Sequence, residues 1–134
     1  MVIRSTLLLA ALIPLSLFAQ ARPETACEGA DHISQVRCLG LQIDRLNTEL
    51  DSAYRQALNA RPEKDGSDSR KDRDQLQKSQ LVWLKYKDEN CALIGGLEGG
   101  SNLWVTDFTA QCEKDEIQKR IEFLKRVANG EFGG

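Results

Sequence analysis

The chain has 134 residues and a formal net charge of −2, a length sufficient for one domain with a modest core and too short for two. Its 18 basic and 20 acidic side chains are interspersed, and no run of like charge dominates. This balance argues against nucleic-acid binding, which depends on clustered lysine and arginine facing phosphate.

The start of the chain has the composition of a cleavable signal peptide. A positive charge is followed by an apolar run over residues 7–18 and by the small residues Ala19 and Ala21. A membrane span is the alternative, but the run is interrupted by a proline and is shorter than the ~20 residues that a bilayer requires. We therefore expect a signal peptide, residues 1–21, and one exported helical domain, residues 22–134, with no membrane span after cleavage.

All four cysteines lie beyond the predicted cleavage site, at Cys27, Cys38, Cys91 and Cys112. An even number of cysteines in an exported chain is typical of disulfides. A zinc site is the alternative, but it needs close pairs such as C-x-x-C, which are lacking, and the chain has a single histidine, His32. We expect two disulfides and no metal.

The first predicted helix begins near Val36 and ends before Pro62, because proline cannot continue the hydrogen-bond ladder. Its apolar residues recur every three or four positions, as in an amphipathic helix. They are Val36, Leu39, Ile43, Leu46, Leu50, Tyr54 and Leu58.

Residues 62–74 hold no apolar side chain, so we expect a solvated connector in which the next helix starts, with Ser69 and Asp72 as a capping box.

The second predicted helix ends near Cys91 or Ala92. Its apolar anchors are Leu76, Trp83 and Leu84, with Tyr86 at the edge of the stripe. Four glycines among residues 95–100 then predict a loop, since glycine disfavours a helix.

Ser101 is the predicted N-cap of a third helix, which ends at Asn129 and Gly130. Its apolar residues are Leu103, Trp104, Phe108, Ile117, Ile121, Leu124 and Ala128. The periodicity slips between Phe108 and Ile117, so a kink or two shorter helices would also fit. Because no alternating strand pattern occurs, the sequence predicts an all-α, disulfide-linked bundle of about three main helices.

This layout favours one of the three possible disulfide pairings. Cys91 ends the second predicted helix and Cys112 lies in the first half of the third, so an antiparallel hairpin brings them together. Cys27 then pairs with Cys38 and folds the N-terminal segment back on the first helix. Loop closure gives each bridge about 3 kcal/mol of stabilisation.

The sequence offers little for catalysis. A Ser-His-Asp site would have to use His32, without a G-x-S-x-G motif, and a solvated or helix-terminal histidine is the simpler interpretation. Gly95 and Gly100 have the spacing of a phosphate-binding loop, but the lysine that completes that motif is missing. We predict that the protein is not an enzyme and needs no cofactor.

Two segments are candidates for binding a partner protein. The glycine loop is fixed at its start by the predicted disulfide, so Leu97, Glu98 and Ser101 suit insertion into another protein's cleft, with a plain connector as the alternative. Tyr86 and Asp88 on the second helix are further contact candidates, against the alternative that this helix serves only the core.

The residue pattern extends over essentially the whole mature chain. It comprises Cys27 and Cys38 ahead of Leu46-Asn47 and Tyr54, then L-x-x-S-Q-x-x-W-x-x-Y-K-D-x-x-C from Leu76 to Cys91, then Gly100-Ser101, Cys112, Arg120 and Leu124. This pattern resembles the LprI family of small exported bacterial proteins, named for a lysozyme inhibitor. Two features depart from it. Lys87 stands where the family usually has arginine, and Glu24 occupies the aliphatic position of a lipobox.

The resemblance implies a helical, disulfide-linked, periplasmic or secreted domain that inhibits lysozyme or a related cell-wall hydrolase. Animal lysozymes are generally basic, so a mildly acidic domain is attracted to them. Lysozyme keeps one catalytic carboxylate ionised, so Glu98 is expected to meet a basic residue on the cleft rim while Ser101 or backbone amides approach the centre. The alternatives are an immunity or envelope-stress protein against another wall-targeting toxin, and a structural periplasmic module without an enzyme partner.

Overall fold

A computed structural model describes residues 31–61 and 67–132, and these form three helices and no strand. Helix α1 spans His32–Asn59, α2 spans Ser67–Glu98 and α3 spans Asn102–Ala128. The predicted all-α fold with three main helices is confirmed. No helix in the described ranges is long and apolar enough to cross a membrane. The predicted signal peptide lies outside the described residues.

Helix α3 is the centre of the bundle, because it packs against both other helices while α1 and α2 contact each other much less. Contacts at both ends show that α1 runs parallel to α3: His32 reaches Asp107, and Glu49 accepts a hydrogen bond from Lys125. Helix α2 runs antiparallel to α3. The buried core consists of Leu50, Ala53, Ala57, Leu76, Ile117, Ile121 and Leu124.

The helix ends follow local capping. Helix α1 begins earlier than the predicted Val36 because the Asp31 carboxylate accepts hydrogen bonds from the Ser34 hydroxyl and backbone N–H, which lower the pKa of Asp31. The predicted capping box at Ser69 and Asp72 is wrong, since α2 already starts at Ser67.

Helix α3 is one continuous helix across the slip in its periodicity, so two separate helices are excluded. Ser101 is its N-cap and Asn129 its C-cap, as predicted. Gly130 follows with φ +73° and donates its backbone N–H to the Val127 carbonyl, which is the glycine-terminated helix end that the sequence indicated.

The predicted glycine loop is wrong in its first half, because α2 passes Cys91 and continues through Gly95 and Gly96 to Glu98. Gly95 lies in close contact with α3. A Cβ atom there would overlap the Thr109 hydroxyl and lie 2.8 Å from the Val105 carbonyl oxygen. This glycine therefore permits helix packing. The turn itself uses only Gly99 and Gly100, whose φ angles of +70° and +98° favour glycine.

Candidate partner-binding site

The α2–α3 hairpin is joined by the Cys91–Cys112 disulfide, with Cα atoms 5.4 Å apart, which confirms the predicted pairing of these two cysteines. Cys91 is completely buried between the helices. The Cys91 half of the bridge lies about two turns before the end of α2 at Glu98. The second predicted bridge involves Cys27, which lies outside the described residues, and stays a prediction.

The L-x-x-S-Q-x-x-W-x-x-Y-K-D-x-x-C pattern, residues 76–91 of α2, serves mainly to hold α3. The buried guanidinium of Arg120 donates from Nε to Gln80 Oε1 at 2.9 Å and from Nη2 to Ser79 Oγ at 3.1 Å. It also lies over the rings of Trp83 and Phe123, at 5.5 and 4.9 Å from their centroids. Burial lowers the pKa of Arg120, because loss of water disfavours the charged form. These residues therefore position α2 on α3.

Lys87 belongs to the same packing surface. Its buried side chain places Nζ 2.7 Å from Asp88 Oδ1 and 3.8 Å from Glu113 Oε1. An ammonium group suits two separate contacts of this kind. Lys87 can therefore hold this packing surface without the planar, bidentate guanidinium of an arginine. Asp88, one of the predicted contact residues, is thus paired with Lys87 while remaining exposed.

The residues on either side of the turn form a projecting surface, which we name the hairpin tip: residues 97–104. The structure brings three predicted contact residues together here, with Leu97 76% exposed and Glu98 and Ser101 also exposed. Trp104, which the sequence indicated only as an apolar helix residue, is 47% exposed at the tip. Tyr86 lies on α2 about 16 Å along the axis from Leu97. It is therefore not part of the tip.

The hairpin tip is anchored to the start of α1 through His32. The imidazole packs on the Trp104 ring with centroids 4.0 Å apart, and its Nε2 lies 2.9 Å from Asp107 Oδ2. The other oxygen of Asp107 accepts a hydrogen bond from Gln111 Nε2 at 3.0 Å. Phe108 extends the stack beyond Trp104, with centroids 5.8 Å apart.

The sequence favours a solvated or helix-terminal histidine over a catalytic one. His32 is helix-terminal, and its side chain is partly buried rather than solvated. Sequence reasoning missed its contact with Asp107 because the two residues are 75 positions apart and no local pattern links them. Among residues 31–61 and 67–132, no group of three metal-ligating side chains occurs. The hairpin tip is a largely exposed surface that carries hydroxyl, carboxylate and aromatic groups.

Comparison with known proteins gives one family. A family model described as "Lysozyme inhibitor LprI" matches residues 26–124, which include α1, α2 and most of α3. The hairpin tip and the Cys91–Cys112 bridge lie within the matched segment. No curated protein and no solved structure matches the chain.

Proposed function

The chain belongs to the LprI family, and we propose that it is a non-enzymatic inhibitor of lysozyme or a related cell-wall hydrolase, acting by protein–protein contact. The family match over residues 26–124 is the observation that carries this proposal. We further propose that the hairpin tip is the inhibitory surface. It combines exposed apolar area with polar groups on a turn that a disulfide and the contacts of His32 hold in place. The acidic balance of the chain supports attraction to a basic lysozyme.

The geometry of the tip supports entry into a concave hydrolase site. The tip is held on one side by the Cys91–Cys112 bridge and on the other by the contact of His32 with Trp104 and Asp107. A surface that is already ordered loses less conformational entropy when it binds. Exposed Leu97 and Trp104 supply apolar area, and such anchors carry much of the energy of protein interfaces.

The polar groups of the tip suit two parts of a lysozyme cleft. The Ser101 side chain makes no capping hydrogen bond, so its hydroxyl is available to donate to a partner. It also lies at the N-terminus of α3, where the helix dipole favours negative charge, such as an ionised catalytic carboxylate. Glu98 would be repelled by that carboxylate, and we place it against a basic residue on the rim.

Replacing Leu97, Glu98 and Ser101 together by alanine, glutamine and alanine should weaken inhibition of a susceptible lysozyme by about tenfold or more. These side chains are exposed, so helical circular dichroism should be preserved and the free energy of unfolding should change by only about half a kcal/mol. The control carries Leu81→Ala and Glu89→Gln, two exposed α2 positions outside the tip, and should inhibit like wild type. Equal inhibition by the tip variant and the control would remove the tip from the proposal.

The broader assignment is tested with the wild-type protein, oxidised and monomeric, against several lysozyme classes and a panel of wall amidases. Inhibition of any lysozyme class at micromolar excess supports the proposal. If every lysozyme remains fully active, the lysozyme assignment fails. Inhibition of an amidase instead would point to a wall hydrolase other than lysozyme, as a related target or as the toxin of the immunity or envelope-stress alternative, and no inhibition at all would favour a structural module.

We also propose that the protein acts in the periplasm or the medium after removal of residues 1–21. The mature N-terminus should then be Arg22, which N-terminal sequencing or intact mass measurement of the exported protein would show. Recovery of the chain in the cytoplasm with Met1 and four free thiols would contradict both the export and the disulfide predictions.

A further inference from the structure

A cleft is lined by residues of α2 and α3, next to the hairpin tip. Its volume is about 400 Å³, and apolar atoms of Ile94, Phe108 and the Cys112 half of the disulfide contribute to its lining. Carboxylates stand on both helices beside it, with Glu98 on the last turn of α2 and Asp115 on α3. We refer to it as the Glu98–Asp115 cleft.

The charges around the cleft are unbalanced. Lys119 donates a hydrogen bond to Glu116 Oε1 at 3.1 Å, and this contact raises the pKa of Lys119 and satisfies that pair. In the described ranges the side chains of Glu98 and Asp115 make no hydrogen bond and no ion pair, and Asp115 acts on Lys119 only through its charge, which adds to the raised pKa of that lysine. Three carboxylates against one ammonium leave the lining with a formal charge of −2. The cleft therefore favours a cationic occupant.

Resting on the proposed inhibitor function, we propose that the Glu98–Asp115 cleft binds an arginine side chain on the rim of the hydrolase's active site. The aliphatic part of an arginine would pack on Ile94 and Phe108, as long cationic side chains do on apolar surfaces. Its planar guanidinium presents several donors, so it can serve carboxylates on two helices at once, which the single ammonium of a lysine does less well. This assigns Asp115, Ile94 and Phe108 to the interface beside the tip.

The central test is a comparison of two double variants with the same change in net charge. The cleft variant carries Glu98→Gln and Asp115→Asn, and the control carries Glu89→Gln and Asp74→Asn at exposed α2 positions outside the cleft. Long-range attraction changes equally in both, so only the cleft variant loses the charge-assisted contacts. Its affinity for a basic animal lysozyme should fall by about tenfold or more, against less than about twofold for the control.

A second measurement addresses the cleft without a hydrolase. Titration of the wild-type protein with N-acetyl-arginine amide should shift the NMR resonances of Ile94 and Phe108, and neutral N-acetyl-citrulline amide should not. The cleft variant should lose the shifts and the control variant should keep them. Absence of these shifts in the wild-type protein would overturn the proposal.

The outcomes separate the cleft from the function. If the wild-type protein binds lysozyme and both double variants bind equally well, the arginine proposal is overturned while the inhibitor function stands. If arginine amide shifts the cleft resonances but no lysozyme binds, the inhibitor function fails and the cleft keeps its ligand chemistry. If the wild-type chain self-associates and the cleft variant is monomeric, the cleft holds a second copy of the chain, which also overturns the proposal.

Discussion

Replacement of Cys91 and Cys112 by alanine should lower the free energy of unfolding by about 3 kcal/mol, because the bridge closes a loop of 21 residues in the unfolded chain. Domains of this size have a total stability of roughly 5 to 15 kcal/mol, so the loss is a large share. Inhibition should weaken as well, since the bridge braces the hairpin that carries the tip. Thermal melting and a lysozyme assay on the same preparation measure both effects.

The melting temperature of the disulfide variant should fall by roughly 10 °C or more. Alanine at both positions avoids a free thiol and keeps the buried Cys91 site apolar. Peptide mapping of the wild-type protein under non-reducing conditions provides the covalent control and should recover Cys91 linked to Cys112. A variant that melts within two or three degrees of wild type would mean that helix packing alone holds the hairpin.

Gly95→Ala should destabilise the protein by about 2 kcal/mol, although alanine is the better helix former. The added methyl would meet the Val105 carbonyl oxygen, which belongs to the backbone of α3 and cannot rotate away, so the helices must move apart. Chemical denaturation measures the change.

The adjacent Gly96 provides a matched control. It lies in the same helix with nothing within 4 Å of its added Cβ position. Gly96→Ala should therefore stabilise by about 0.5 to 1 kcal/mol, through helix propensity and a less flexible unfolded chain. Thr109→Ala in the Gly95→Ala background should recover part of the loss, because it removes the other atom that the methyl overlaps. Stabilisation by both glycine variants would contradict the close approach of α2 and α3.

The candidate site could be predicted only in part from the sequence. Leu97, Glu98 and Ser101 come together as expected because they flank one turn, and chain proximity alone places them near each other. Asp115 joins Glu98 through the register of α2 against α3, which the Cys91–Cys112 bridge and the contacts of Arg120 with α2 fix together. Nothing in the sequence pattern indicates that Trp104 is exposed, since an aromatic residue in an amphipathic helix is expected in the core.

The sequence by itself determined the helical class, the three helices and the pairing of Cys91 with Cys112, because apolar periodicity, caps and cysteine positions are properties of short segments. Only the tertiary structure decided that α2 passes through Gly95 and Gly96, that His32 meets Asp107 and that Arg120 lies between Trp83 and Gln80. Each of these depends on atoms far apart in the chain. The helix penalty of two glycines is about 2 kcal/mol, and close packing and a disulfide between α2 and α3 outweigh it.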